Sequence, residues 1–326
     1  MIANGVSHRP DPEQAAPWVR TLRTTRRWFM RRTGLAGLLA LLFGGGALRA
    51  AADGEAPGAL ADAFAGMFQD QYKRMSPDDV QAALGRIQRN ALRDYDREIE
   101  VRADPPKPNT VYGYAINLSK CKGYRKCVDA CVAENNQSRD PAIEYIRVLE
   151  MDLGSLDLHG GDHHYNPDLV PREGKFYIPM QCVQCDNPPC VKSCPVEATW
   201  KEPDGIVVTD YDWCIGCRAC MVACPYWARR FNWNDPVLPS DKINPVTHIL
   251  GNRPRPKGVV EKCTNCIQRV RRDREPACME ACPTGARIFG NLLDPESELR
   301  YVLEHKQVFR LKEEAGCEPK FWYFFD

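Results

Sequence analysis

The sequence predicts an α+β fold: two small, loop-rich (βαβ)2 units behind a helical N-terminal segment. Three observations carry this. Sixteen cysteines are present, and fifteen of them fall into four tight runs. Short β-like stretches (111–116, 175–179 and 205–209) alternate with those runs and with turns. The stretch between 55 and 100 has no cysteine and carries apolar residues at helical spacing. A chain of 326 residues has room for about two domains. Forty-four Lys and Arg against 43 Asp and Glu leave no global field to draw nucleic acid or an acidic partner.

Residues 1–52 read as an address. Arg26 and Arg27 form a twin-arginine pair, with Phe29 two places on. An uncharged, Gly- and Ala-rich stretch follows over 33–48, closed by Arg49 and the small residues Ala50, Ala51 and Ala52. That order is the layout of a twin-arginine export signal, and the apolar run is short of the ~20 residues a membrane-spanning helix needs. The route moves folded proteins, which suits a chain whose thiols must acquire a cofactor before meeting an oxidising compartment.

Residues 53–108 form a helical extension and a linker. Ser76 caps, Pro77 takes the first turn, and Asp78 and Asp79 sit at the positive dipole end. Val80, Ala83, Leu84, Ile87 and Leu92 then make the apolar stripe, which either packs on the protein's own body or docks a partner. Asp104-Pro105-Pro106-Lys107-Pro108 stiffens the exit. Further on, 153–173 reads as a solvated loop; its His159, His163 and His164 with Asp162 are also a possible metal set.

The third run is the most regular: Cys214, Cys217, Cys220, Cys224, then Pro225, which is C-x2-C-x2-C-x3-C-P. This is the bacterial ferredoxin run, in which three thiolates wrap one cubane and the fourth reaches a second. The second run (Cys182, Cys185, Cys190, Cys194, Pro195) adds two residues before its third cysteine. The fourth (Cys263, Cys266, Cys278, Cys282, Pro283) carries a longer insertion. The first (Cys121, Cys127, Cys131) keeps the register of the third, with Tyr124 in place of the second cysteine. Disulfides or zinc would account for many cysteines, but not for this spacing repeated four times.

With these runs, residues 110–325 resemble the four-cluster ferredoxin-type subunits of membrane-associated respiratory oxidoreductases. These are the iron–sulfur subunits of dimethyl sulfoxide, tetrathionate, polysulfide and nitrate reductases, of formate dehydrogenase, and of systems with NrfD-type membrane subunits. The resemblance implies two ferredoxin-like domains, one inserted in the other: 109–180 with 246–326 outside, and 181–245 inserted. It also implies that the runs cross-pair. Cys182, Cys185, Cys190 and Cys224 would hold one [4Fe-4S] cluster, Cys214, Cys217, Cys220 and Cys194 a second, and Cys263, Cys266, Cys278 and Cys131 a third. Cys121, Cys127 and Cys282 remain for a fourth, with Tyr124 at the missing-ligand corner.

Three thiolates are the ligand set of a [3Fe-4S] cluster, so the expected complement is three [4Fe-4S] and one [3Fe-4S]. Cluster type and charge set potential, and a higher one would suit a quinone-linked end of the chain. Ligation by the Tyr124 phenolate, an empty degenerate site, and a fourth ligand from Cys317 are the alternatives.

No triad, Walker loop or dinucleotide fingerprint occurs, so no catalytic residue is expected here. The resemblance implies a periplasmic electron-transfer subunit, held at the inner membrane by its partner or by an uncleaved signal. It would relay single electrons between an NrfD-type quinone-handling membrane subunit and a molybdopterin enzyme or multihaem cytochrome. A free periplasmic ferredoxin shuttle, or an enzyme using an open iron at the Tyr124 site, are the other classes. Basic residues near the runs (Arg218, Arg229, Arg230, Lys262, Arg269, Arg271, Arg272) either offset cluster charge or form a solvated face. Trp213, Trp227 and Trp233 read as shields against water.

Overall fold

The structure is a computed structural model and describes residues 75–326. The twin-arginine region and residues 53–74 lie outside the described residues. No helix among the described residues is long and apolar enough to cross a membrane.

The helical extension begins at Ser76, whose hydroxyl accepts from the Asp79 amide while the Asp79 carboxylate accepts from the Ser76 amide. This capping box satisfies two otherwise orphaned donors and starts α1 (Pro77–Tyr95). Ala83, Leu84, Ile87 and Ala91 bury one face against the body, together with Ile206, Ile249, Leu250 and Ile267. The apolar stripe is therefore core, and only Leu92 at its end is exposed. Arg86 pairs with Asp212 at 3.0 Å and ties the helix to the residue two places before Cys214.

The remaining chain threads short elements between the cysteine runs. These are β1 (Glu100–Arg102), β2 (Tyr112–Asn117), α2 (Lys126–Glu134), β3 (Arg147–Asp152), β4 (Lys175–Met180), α3 (Pro189–Lys192), β5 (Thr199–Lys201) and β6 (Val207–Thr209). Then come α4 (Ala219–Val222), β7 (Arg229–Phe231), β8 (Val246–His248), β9 (Val260–Lys262), α5 (Ile267–Val270) and α6 (Ala277–Glu280). The chain closes with β10 (Arg287–Asn291), α7 (Glu298–His305), β11 (Val308–Phe309) and β12 (Phe321–Phe324). The three β-like stretches read from the sequence overlap β2, β4 and β6, with residues 111, 205 and 206 outside the strands.

The largest sheet has the order β10-β2-β12-β11, with β2 paired antiparallel to β10 and parallel to β12. The other pairings are two-stranded: β1 with β8, β3 with β4, β5 with β6, and β7 with β9. The last of these joins 229–231 to 260–262 and so crosses the boundary expected between an inserted unit and an outer one. Arg271 crosses it as well. Its fully buried guanidinium pairs with Glu202 at 3.0 Å and Asp204 at 2.9 Å, on the β5–β6 turn. Tyr226 and Ala228 share one core with Tyr114, Ile146, Leu149 and Phe321, so packing is continuous across the two halves.

Candidate iron–sulfur centres

The ligand loops are shaped by backbone that only particular residues tolerate. Gly123, between Cys121 and Tyr124, and Gly216, between Cys214 and Cys217, sit at φ +78° and +73°. A Cβ on Gly123 would meet the Tyr177 ring at 2.5 Å, and one on Gly216 would meet the Gly258 carbonyl at 2.3 Å. Glycine is required at both positions. Each loop then turns through a left-handed arginine (Arg125, φ 54°; Arg218, φ 65°) into a short helix, α2 with Cys127 and Cys131 or α4 with Cys220.

None of the sixteen cysteines is joined in a disulfide. Their thiols gather into four sets. Cys131 is pushed well up by burial, and further by neighbouring Cys263, Cys266 and Cys278. Cys185 is raised by burial and then by Cys182, Cys317, Cys190 and Cys224. Cys220 is raised to about 11 by burial, with Cys214 and Cys194 among the neighbours that add to it, and Cys217 adds to Cys214. Cys121 is raised to about 11 by burial, with Cys127 and Cys282 adding.

The sets adjoin in a row. Cys190 bears on Cys220, Cys182 bears on Cys263, and Cys278 bears on Cys127. The row therefore runs from Cys217, the one exposed cysteine, through the Cys182 set and the Cys263 set to Cys121, Cys127 and Cys282.

The donor chemistry fits clusters better than single ions. Zinc would draw four thiolates to roughly 3.8 Å of one another, given Zn–S bonds of ~2.3 Å. Among the described residues no three His, Cys, Asp or Glu side chains converge that way. Instead Cys182, Cys185, Cys190 and Cys224 line one pocket, and Cys121, Tyr124, Cys127 and Cys282 line another.

Amide and side-chain donors converge on the sulfurs, as anionic thiolates require. Asn265 N donates to Cys263 Sγ at 3.4 Å, Ala286 N to Cys282 Sγ at 3.3 Å, and Gln137 Nε2 to Cys131 Sγ at 3.2 Å. Burial pushes Cys282 up, but the bonds from Thr284 and Ala286 and the charge of Arg287 outweigh it and hold the thiol below its usual value.

Tyr124 lines the cavity of the three-thiol set and is 37% exposed. Cys317 stands elsewhere. It neighbours Cys185 and Cys190 and donates to the Ala315 carbonyl at 3.4 Å, so it does not complete the Tyr124 site. The histidine loop makes no metal set: His163 and His164 lie ring against ring at 4.0 Å, while His159 packs on Trp227 at 4.5 Å.

The basic residues divide. Arg218 and Arg272 are exposed, whereas Arg229, Lys262, Arg269 and Arg271 are buried, so the solvated-face reading fails for those four. Trp213 is buried in one core with Cys214 and Cys220. Trp233 is 59% exposed, with the Arg218 guanidinium over its ring at 4.7 Å.

Comparison with known proteins agrees with this chemistry. The chain matches the 4Fe-4S dicluster domain family over residues 174–240 and again over 213–287. A Halobacterium salinarum protein named as an iron–sulfur subunit of dimethyl sulfoxide reductase is 41% identical over 215 residues, covering 66% of this chain and 79% of that one. The iron–sulfur cluster-binding subunit of menaquinone reductase from Nitratidesulfovibrio vulgaris is 38% identical, over 65% of this chain and 88% of its own. A component of the polysulfide reductase of Wolinella succinogenes is 35% identical, over 64% and 91%.

Proposed function

The protein belongs to the iron–sulfur subunits of reductase complexes built on 4Fe-4S dicluster domains, and from that premise we propose that it relays single electrons along four clusters held by its cysteine sets. The observation that carries this reading is the unbroken row of thiols from exposed Cys217 to partly exposed Tyr124. Clusters, when bound, supply one-electron carriers. The chain's own part is to fix them in order, keep water from the inner two, and present one at each end.

The ligand sets proposed are Cys194, Cys214, Cys217 and Cys220; Cys182, Cys185, Cys190 and Cys224; Cys131, Cys263, Cys266 and Cys278; and Cys121, Cys127 and Cys282. The last, beside Tyr124, takes a [3Fe-4S] cluster, and two ferredoxin-like units, one inserted in the other, carry them all. The partners are an NrfD-type quinone-handling membrane subunit and a molybdopterin enzyme or multihaem cytochrome, which performs the catalysis. The site of action is the periplasmic face of the inner membrane, reached through the twin-arginine signal. The names of the relatives, a menaquinone reductase subunit among them, support a quinone-linked chain.

A free periplasmic shuttle is the second reading. It gains some ground because α1 buries its apolar face on the protein itself and offers no added docking surface there. Recovery of the chain with washed membranes, through a partner, would exclude it.

The test of the main reading is low-temperature EPR with an iron count on anaerobically purified full-length chain. A three-iron signal in the oxidised sample, giving way to interacting four-iron signals on reduction, is expected. Zinc or disulfides in place of iron would overturn the proposal.

A further inference from the structure

In the β7–β9 ladder Arg229 is directly opposite Lys262, and Arg230 is directly opposite Glu261. The second pair matches charge with charge. The first sets two cations against each other in the interior, at 3% and 1% exposure. Like charges directly opposite destabilise an antiparallel pair, and burial removes the water that would screen them.

Among the described residues neither cation forms an ion pair with a carboxylate. Arg229 donates to the hydroxyls of Thr199 and Thr209, at 2.9 and 3.4 Å, and its Nε has no partner. Lys262 Nζ donates to the carbonyls of Val207 and Cys263. The neighbouring Glu261 points to the other face of the strand, where Arg255 and Asn232 bind it.

What surrounds the two cations is sulfur. Arg229 lines the pocket of Cys182, Cys185, Cys190 and Cys224, and Cys220 of the Cys214 set is also among its charged neighbours. Lys262 directly precedes Cys263 and donates to its carbonyl, and its other acceptor, the Val207 carbonyl, belongs to a residue that lines the Cys182 pocket. Arg229 thus stands between the Cys214 and Cys182 sets, and Lys262 between the Cys182 and Cys263 sets.

A third cation repeats the device. The segments Cys224-Pro-Tyr-Trp-Ala-Arg229 and Cys282-Pro-Thr-Gly-Ala-Arg287 place an arginine five residues after the last cysteine of each run. Arg287 is fully buried between Cys127 and Cys278, without a carboxylate, and donates to Gln181 Oε1 at 2.8 Å.

We propose that Arg229, Lys262 and Arg287 are the fixed counter-charges of the three gaps in the cluster row and hold up the reduction potentials of the clusters beside them. This rests on the four-cluster reading. A cluster gains negative charge on reduction, so an adjacent buried cation favours the reduced form and raises its potential. The Cys182 set, flanked by both Arg229 and Lys262, receives two such charges.

The test is an EPR-monitored redox titration of anaerobically purified full-length chain: wild type, Arg229→Gln, Arg229→Lys and Arg287→Gln. The iron content of the wild type decides the four-cluster reading separately. Arg229→Gln is expected to lower two four-iron potentials and leave the three-iron potential unmoved, Arg287→Gln to lower the three-iron potential and one four-iron potential, and Arg229→Lys to restore wild-type values. Iron lost from Arg229→Gln but retained in Arg229→Lys supports the same role, since lysine keeps the positive charge that glutamine lacks. Unmoved potentials at full iron content overturn it. So does an equal shift of all clusters, or iron lost alike from both Arg229 variants.

Discussion

Tyr124 occupies in the first run the backbone position that Cys217 occupies in the third. Each follows a left-handed glycine, Gly123 or Gly216, and precedes a left-handed arginine, Arg125 or Arg218, that opens a helix. Both side chains reach solvent, at opposite ends of the thiol row. The loop around Tyr124 therefore has the backbone of the loop around Cys217.

Replacing that tyrosine should be chemically productive. Tyr124→Cys is expected to convert the proposed three-iron site to a four-iron site, abolishing the oxidised three-iron EPR signal and adding about one iron per chain. A signal unchanged in shape and intensity would mean that the tyrosine is not its cause.

The reciprocal exchange should work at the other end. Cys217→Tyr removes a ligand from a loop of the same shape, so a second three-iron signal is expected beside the first. Loss of the whole cluster with no new signal would show that the two loops are not interchangeable.

Arg271 should matter for stability and not for redox chemistry. Removing one partner of a buried charge cluster typically costs about 3–5 kcal/mol, because the remaining charges stay buried. Arg271→Met strands Glu202 and Asp204 and should lower the unfolding midpoint of the loaded chain accordingly. The triple change Arg271→Met, Glu202→Gln, Asp204→Asn should recover much of the loss. Equal midpoints for Arg271→Met and wild type would sink this account.

His248 should give the fold an acid-sensitive component. Its Nδ1 accepts from Leu250 N at 3.1 Å, leaving Nε2 to donate to the Asp104 carbonyl at 3.1 Å, so the ring is neutral. Burial and then the Arg271 charge depress its pKa to about 3. A group depressed on folding contributes stability that is full above its ordinary value of ~6.5 and is lost as pH falls toward its folded value. Between pH 7 and 5.5 that contribution falls by about 1 kcal/mol. Denaturant unfolding at the two pH values should show a smaller drop for His248→Gln than for wild type.

The cysteine runs were legible because cluster ligation is local: three thiolates two residues apart need only one loop. The departure at Tyr124 was legible for the same reason, as a mismatch of register with Cys217. Which runs share a site was not legible from spacing. Cys131 meets Cys263, Cys266 and Cys278 only through the tertiary fold, and the cross-pairing came from resemblance. The β7–β9 pairing escaped because strands of three residues are too short to show a period. The roles of the basic residues escaped too, since composition cannot tell an interior guanidinium from a solvated one. The repeat of Cys-Pro-x-x-Ala-Arg after Cys224 and Cys282 was the signal available. Cys317, isolated in sequence, offered no such signal, and its place beside Cys185 is purely a matter of folding.

The ladder joining 229–231 to 260–262 limits how electron flow can be controlled. Backbone hydrogen bonds stitch one half of the row to the other, with core packing continuous around them. A hinge at that junction would have to break a sheet. The spacing between the Cys182 and Cys263 sets is thus gauged by the backbone itself. On the proposed relay, control of electron flow falls to the two ends of the row, at Cys217 and at Tyr124.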